Sequence, residues 1–236
     1  MIRRIFVIVL FCIPFLLSAQ QRQEQEDYFK EFIYGINKNT NGGLIGGVFM
    51  RYSRKKNDQF YETFGIELLN VKHPKEQRYT SRQTGTAFIW GKQNYLYSIR
   101  LNYGYDKILY RKAPQQGVQI NASASAGPTI GIEAPYYILT QNGEYRQYDP
   151  DFFNQLNQIQ GPGKLFQGLG ESKIVPGLNT RLGLAFEFGT FRNNVTGIEL
   201  GVSAEVFTRE IILVPTQENR ALFTAAFITI FWGTRK

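Results

Sequence analysis

Between Asn94 and Asp106 the chain alternates: Tyr95, Tyr97, Ile99, Leu101, Tyr103 and Tyr105 fall on one face, and Ser98, Arg100, Asn102 and Gly104 on the other. A period of two is the geometry of a β-strand, in which successive side chains point to opposite faces. The apolar row is aromatic at both ends and aliphatic in the middle. Its ten steps of roughly 3.3 Å, tilted by about 45°, span a height of about 23 Å, close to the ~25 Å apolar band that a bilayer-crossing strand presents. Tyr95, Tyr97, Tyr103 and Tyr105 then fit the aromatic girdle at the two interfaces.

Three further segments repeat the pattern. Val118, Ile120, Ala122, Ala124 and Ala126 alternate with Gln119, Asn121, Ser123, Ser125 and Gly127. Leu178, Thr180, Leu182, Leu184, Phe186 and Phe188 alternate with Asn179, Arg181, Gly183, Ala185 and Glu187. Ile198, Leu200, Val202, Ala204 and Val206 alternate with Gly197, Glu199, Gly201, Ser203 and Glu205. A water-soluble sandwich also alternates, but its polar row favours charge and Thr. Here that row is Gly, Ser and Ala with isolated Arg and Glu, as a narrow lumen with a few buried ion pairs requires.

Four weaker segments complete the set: Lys30 to Lys38, Leu44 to Tyr52, Phe60 to Val71, and Leu222 to Trp232, which is apolar on both faces. The expected fold is all-β, an antiparallel up-and-down transmembrane barrel of about eight strands. The count rises to ten if Thr86 to Trp90 or Lys107 to Lys112 forms strands of its own.

The N-terminus supplies the route to a membrane. Arg3 and Arg4 precede an apolar run from Ile5 to Leu17, and Leu17-Ser18-Ala19 is followed by polar Gln20 to Glu24. That order predicts a secretory signal peptide over 1–19, then a polar leader over 20–27 and a barrel over 28–236. About thirteen apolar residues are too few for the roughly twenty of a spanning helix. The one cysteine, Cys12, lies in the apolar run, so the mature chain has no disulfide or thiolate metal site. Lys and Arg exceed Asp and Glu by eight, and Arg3 and Arg4 leave with the signal. The remaining excess suits an anionic lipid surface, and no basic cluster is dense enough to argue for nucleic acid.

The connections alternate between two sides. Ser53 to Asp58, Lys107 to Gly117 and Gly189 to Asn194 fall on one; Asn39 to Gly43, His73 to Gln93, Ala134 to Gly177 and Arg209 to Arg220 fall on the other. Short periplasmic turns and longer outer loops are the rule for such barrels.

Taken together, the girdled strand Tyr95 to Tyr105, the Gly/Ser-rich inner rows and the aromatic terminal strand ending at Phe231-Trp232 resemble the small outer-membrane β-barrels of the OmpA/OmpX type, including porin-like barrels common in Bacteroidota. The resemblance covers the signal peptide and essentially the whole mature chain, and rests on pattern. It implies location in the cell outer membrane, contact with outer-membrane lipid, no cofactor, and engagement of the barrel-assembly machinery through the C-terminal strand. Such barrels commonly end on an aromatic residue; here Gly233 to Lys236 follow, a departure from that pattern.

Arg51, Glu67, Arg100, Arg181, Glu187, Glu199 and Glu205 all fall on inward rows. Buried charges must pair, so these predict a lumen charge network, read as a salt-bridged plug or as a selectivity ring in a narrow pore. His73 is the single histidine, and neither Ser81 nor any other serine has a telling spacing from it, so no catalytic or metal constellation is predicted. The Gly-rich run from Gly161 to Ser172 fails the phosphate-loop spacing and reads as flexible loop. The outer loop Ala134 to Gly177 holds Tyr136, Tyr137, Tyr145, Tyr148, Phe152, Phe153 and Phe166. Those aromatics read either as a binding surface or as packing that closes the barrel mouth.

The expected function is a non-enzymatic envelope role in surface binding, assembly with an envelope or secretion-complex protein, or membrane integrity. The alternatives are a narrow channel for small solutes, a lipid-modifying barrel enzyme, and a soluble lipocalin-like binder.

Overall fold

The computed structural model describes residues 28–43, 46–111, 117–164, 167–188 and 194–236. The signal peptide and leader, Leu44, Phe166 and most of the Gly189 to Asn194 turn therefore lie outside the described residues. In chain order the strands are β1 Lys30–Asn39, β2 Gly47–Lys55, β3 Phe60–Val71, β4 Gln77–Thr80, β5 Ala87–Trp90, β6 Asn94–Tyr110, β7 Gln119–Pro135, β8 Tyr137–Thr140, β9 Tyr145–Gln147, β10 Ile159–Pro162, β11 Lys173–Phe188, β12 Asn194–Ile211 and β13 Arg220–Arg235. Eight of them close a barrel in the order β1-β13-β12-β11-β7-β6-β3-β2, and every pair is antiparallel. Closure leaves no unpaired sheet edge.

The eight-strand reading holds. Ala87–Trp90 is a strand but pairs with β4 outside the wall, and Lys107 to Tyr110 prolongs β6. The wall strands also run further than their clear alternation. Strand β7 continues to Pro135, β11 starts at Lys173, β12 ends at Ile211 and β13 reaches Arg235. Beyond Trp232, Gly233, Thr234 and Arg235 still pair with β1, so the aromatic pair is inside the last strand rather than at its end.

Facing follows the period of two along the wall, interrupted by register shifts between Ile108 and Tyr110 and between Val206 and Ile211. The outward rows leave Phe64, Ile66, Leu68, Leu101, Leu182, Val202, Ile228 and Trp232 exposed, with Ile174 at 74% and Leu182 at 54%. Phe32, Tyr52, Phe64 and Tyr103 are register partners in turn across β1, β2, β3 and β6, which makes a continuous aromatic belt at one rim. Polar residues occupy the inside, where Asn37, Thr63, Ser98, Asn121, Ser123, Thr129, Asn179 and Thr229 are buried. Apolar outside and polar inside is the arrangement of a membrane barrel, the inverse of what water would select.

Glycine on the inner rows makes room for large inward neighbours. A Cβ on Gly201 would stand 2.5 Å from the Phe227 ring, and one on Gly183 would stand 2.4 Å from the Glu199 carboxylate. Both positions exclude any side chain while those groups keep their places.

The lumen is layered. At the outer mouth Val71, Leu96, Val175, Phe207, Ile211, Leu213, Val214 and Phe223 form one apolar cluster. Leu213 and Val214 belong to the β12–β13 loop, which dips into the mouth. Gln93 N–H donates to the Leu213 carbonyl at 2.8 Å, Asn94 Nδ2 donates to the Ile212 carbonyl at 2.8 Å, and Asn219 Oδ1 accepts from Leu213 N–H at 3.0 Å. Toward the other end lie a second cluster of Ile33, Phe49, Ala185, Val195 and Phe231, and a third of Tyr28, Tyr61 and Ile108.

Candidate functional site

Two features sit on this scaffold: an ion network within the lumen and a folded cap on the outer rim. The ions of the network come from inner-row positions of five strands, and their hydroxyl and amide partners from the other three. Arg100 of β6 meets its register partner Glu67 of β3 at 3.4 Å and Glu205 of β12 at 2.8 Å. Arg181 of β11 reaches Glu67 as well, and Glu199 of β12 at 3.2 Å. Arg51 of β2 lies 3.5 Å from Glu199 and 3.8 Å from Asp106. Thr229 of β13 accepts from Arg181 at 3.1 Å, Ser123 donates to Glu199 at 2.8 Å, and Asn37 donates to Glu67 at 3.2 Å. The Arg181 guanidinium also stacks over Phe227, 3.6 Å from the ring centroid. Glu199 and Glu205 are completely buried.

Burying such ions is tolerable only when each finds counter-charge and hydrogen bonds, because isolated charges in a low-dielectric interior carry a penalty of several kcal/mol. Three guanidinia against four carboxylates supply the counter-charge, and hydroxyl and amide groups hydrogen-bond Glu67, Glu199 and Arg181. Arg51 Nε, Arg100 Nε, Glu199 Oε2 and Glu205 Oε1 are buried with no hydrogen-bond partner among the described residues. The cavity among Phe49, Arg51, Glu67, Asp106, Ser123 and Arg181 measures about 20 Å³, room for about one water.

Of the sequence-predicted lumen charges, Glu187 lies apart from this group. It joins Arg235 and Glu31 near the opposite end, where Arg235 Nε is 2.6 Å from Glu31 and its guanidinium packs over the Tyr28 ring at 4.0 Å. Asp106, Glu31 and Arg235 are lumen charges absent from the sequence reading. The signal that could have found them is the same alternation: Asp106 and Glu31 fall on inward rows within the Asn94 to Asp106 and Lys30 to Lys38 segments, and only Arg235 lies past the end of its segment, Leu222 to Trp232. Asp106 is two steps beyond Gly104, and Glu31 two before Ile33.

The cap corrects the reading of the long outer loop. Its wall strands persist to Pro135 and from Lys173, so the loop is shorter than Ala134 to Gly177, and it carries a three-stranded sheet in the order β10-β8-β9. The Gly-rich run is partly structured too, with β10 ending at Pro162 and a 3₁₀ turn over Leu169–Glu171. Phe88, Tyr136, Ile138, Tyr148 and Ile159 make a small core, with Tyr79, Ile89, Trp90, Tyr95 and Phe153 packed against it. Tyr136 Oη accepts from Ile89 N–H at 3.1 Å, which ties the β4–β5 hairpin to the long loop.

Tyr136 and Tyr148 are therefore buried cap-core residues, and Phe153 packs partly buried against them. Burial raises the phenol pKa of Tyr136 and of Tyr148. Tyr137, by contrast, donates to Glu171 at 2.9 Å on the exposed side, Tyr145 is exposed, and Phe152 is 73% exposed. Tyr95 is likewise more than a girdle residue. Its ring meets Tyr136 at 5.3 Å and lies beneath Lys92 Nζ at 4.5 Å. Lys92 is fully buried, held 2.6 Å from Glu76, and its pKa is lowered by desolvation against the opposing pull of Glu76.

His73 uses both ring nitrogens on backbone: Nε2 is 3.1 Å from the Glu218 carbonyl, and Nδ1 accepts from Lys75 N–H at 3.2 Å. Among the described residues no group of three or more His, Cys, Asp or Glu could hold a metal ion.

No protein-family model matches the chain, and no curated protein matches it. Among solved structures it is similar to three small outer-membrane barrels. Ail, the attachment invasion locus protein of Yersinia pestis, aligns over 89% of this chain and 99% of its own at 9% identity, with a TM-score of 0.39. Neisserial surface protein A aligns over 88% and 95% at 10% identity, with a TM-score of 0.38. The N-terminal β-barrel domain of Pseudomonas aeruginosa OprF aligns over 89% and 98% at 8% identity, with a TM-score of 0.37.

Proposed function

We propose that this chain is an integral outer-membrane protein with a non-enzymatic envelope role, a closed barrel that holds a folded cap at the cell surface for binding or assembly. The observation that carries the reading is the inverted wall: outward rows are apolar at lipid-spanning length, and inward rows are filled by paired ions between apolar layers. A lumen whose carboxylates and guanidinia pair with one another, around a cavity of about 20 Å³, offers little to a hydrated solute. The cap adds a rigid platform, since its sheets share a core and leave Tyr145 and Phe152 exposed.

The test expresses the full precursor in a Gram-negative host. The mature protein is expected to fractionate with the outer membrane, to resist alkaline carbonate and to migrate differently on gels with and without boiling. It is expected to give no sustained single-channel current in planar bilayers. Recovery as a soluble periplasmic monomer would overturn the membrane reading, and a stable conductance would replace the closed barrel with a channel.

A further inference from the structure

One cavity lies outside the lumen. It measures about 780 Å³, within the range of ligand pockets, and is overhung by both cap sheets. Its back wall is made by Asn70, Tyr95, Tyr97 and Ala134, all on outward rows of β3, β6 and β7, so it opens along the outer surface of the barrel. Lys72 stands at the end of β3, Arg78 on the β4–β5 hairpin, and Lys164 on the long loop, and all three line the groove.

Among the described residues none of these three cations has a carboxylate partner. Lys164 rests over the Tyr145 ring at 5.2 Å. Glu76, which also lines the groove, is committed to Lys92, and nearby Glu171 is committed to the Tyr137 hydroxyl. The groove thus carries net positive charge between aromatic walls. Directly below it, Leu68, Ile99 and Ile130 are register partners in turn and form one apolar row across the same three strands, and Ile66 and Leu101 pair in the next outward row, which makes an apolar track leading down from the groove.

We infer that the groove seats the phosphorylated headgroup of an outer-leaflet lipid whose acyl chains run down the wall over Leu68, Ile99 and Ile130 toward Ile66 and Leu101. This rests on the wall being lipid-facing. Phosphate oxygens are the partners that three cations lining one groove, none of them held by a carboxylate, select through charge-assisted hydrogen bonds. The track is what a soluble phosphate ester would leave unused.

The experiment takes the mature protein in a phosphate-free detergent and measures retention of bis-phosphorylated lipid A, and of its dephosphorylated form, by native mass spectrometry. The groove variant is Lys72→Ala/Arg78→Ala/Lys164→Ala. A control, Arg82→Ala/Arg146→Ala/Arg220→Ala, removes three other loop cations. Loss of three charge-assisted contacts is expected to lower retention of the phosphorylated lipid about ten-fold or more in the groove variant, with the control unchanged. The dephosphorylated lipid is expected to bind all three proteins weakly. Heat-modifiable migration, read in parallel, separates a failed barrel from a failed groove. Equal retention by groove variant and wild type overturns the inference, as does indifference to the lipid phosphates. Competition by soluble glucosamine phosphate at the concentration of the lipid would overturn it in favour of a water-borne ester.

Discussion

Glu67 of β3 and Arg181 of β11 meet inside the barrel although β6 and β7 stand between their strands in the wall. Glu67 also receives Arg100, so one carboxylate holds two guanidinia. Replacing it with Gln keeps the shape and removes the charge that both cations share. Arg100 then keeps Glu205 and Arg181 keeps Glu199, so Glu67→Gln is expected to lower the urea midpoint of the heat-modifiable form only modestly. Arg181→Met instead leaves Glu67, Glu199, Glu205 and Asp106 to two guanidinia, and deleting one partner of a buried pair costs about 3 to 5 kcal/mol where the remaining charge is left uncompensated. Arg181→Met is therefore expected to lower the midpoint much further than Glu67→Gln. Arg181→Met as stable as wild type would mean that the network contributes nothing to barrel stability.

A second expectation follows from facing. Leu182 lies mid-strand on the outward row of β11, whereas Ile212 is equally apolar but sits in the β12–β13 loop beyond the wall. Arg at the bilayer midplane of a barrel costs about 2 to 4 kcal/mol, falling toward zero near the interfaces. Leu182→Arg is expected to impair insertion into vesicles, and Ile212→Arg to leave it near wild type. Equal damage from the two would place the band elsewhere on the wall.

The wall was legible because period two is imposed by backbone geometry and survives wherever one row is apolar and the other polar. It became illegible where both rows share a character. Strand β13 carries Phe223, Phe227 and Phe231 inward as well as Ile228, Ile230 and Trp232 outward, and only the lumen's need for apolar layers explains it. Strand ends were hidden for another reason: Glu31, Asp106 and Arg235 are charged residues beside turn-like sequence, and charge there reads as solvent exposure. The cap was least legible. Strands of three or four residues, such as Tyr145–Gln147 and Ala87–Trp90, are too short to show a period, so Tyr136 and Tyr148 looked like binding aromatics rather than the core they form.

The cap core gives a third expectation. Tyr148→Ala removes a fully enclosed ring that contacts Trp90 at 6.0 Å and Phe153 at 6.1 Å, and aromatic-to-Ala changes in cores cost about 3 to 5 kcal/mol. Phe152→Ala removes an exposed ring and is expected to cost well under 1 kcal/mol. Limited trypsin digestion of the folded protein reads the difference, since Arg82 and Arg146 lie in the cap. Tyr148→Ala is expected to be cut there rapidly while the barrel remains heat-modifiable, and Phe152→Ala to resist like wild type. Rapid cutting of both would mean that the cap sheets are not held by this core.

The same tyrosines set the response of the cap to alkali. Burial raises the pKa of Tyr136 and Tyr148 in the folded cap above the usual 10.0, whereas in an opened cap they ionise near that value. A group whose folded pKa is raised contributes stability that is complete below its unfolded pKa and is lost as pH rises through the folded value. Lys92 acts in the opposite sense: its folded pKa lies below the usual 10.5, so the opened cap binds the extra proton and cap stability climbs as pH passes from the folded pKa toward 10.5. The two effects meet just above pH 10: below it rising pH strengthens closure by deprotonating Lys92, and above it rising pH weakens closure by ionising the tyrosines of the opened cap. Trp90 reports on the cap through its contact with Tyr148, and Trp232→Phe removes the other tryptophan of the chain. In that background, Trp90 emission is expected to hold or sharpen up to about pH 10 and to shift red above it, with the barrel still heat-modifiable. In Tyr136→Phe/Tyr148→Phe/Trp232→Phe neither ring can ionise, and the red shift is expected to move to higher pH. A transition at the same pH in both proteins would assign the alkaline opening to groups other than these two phenols.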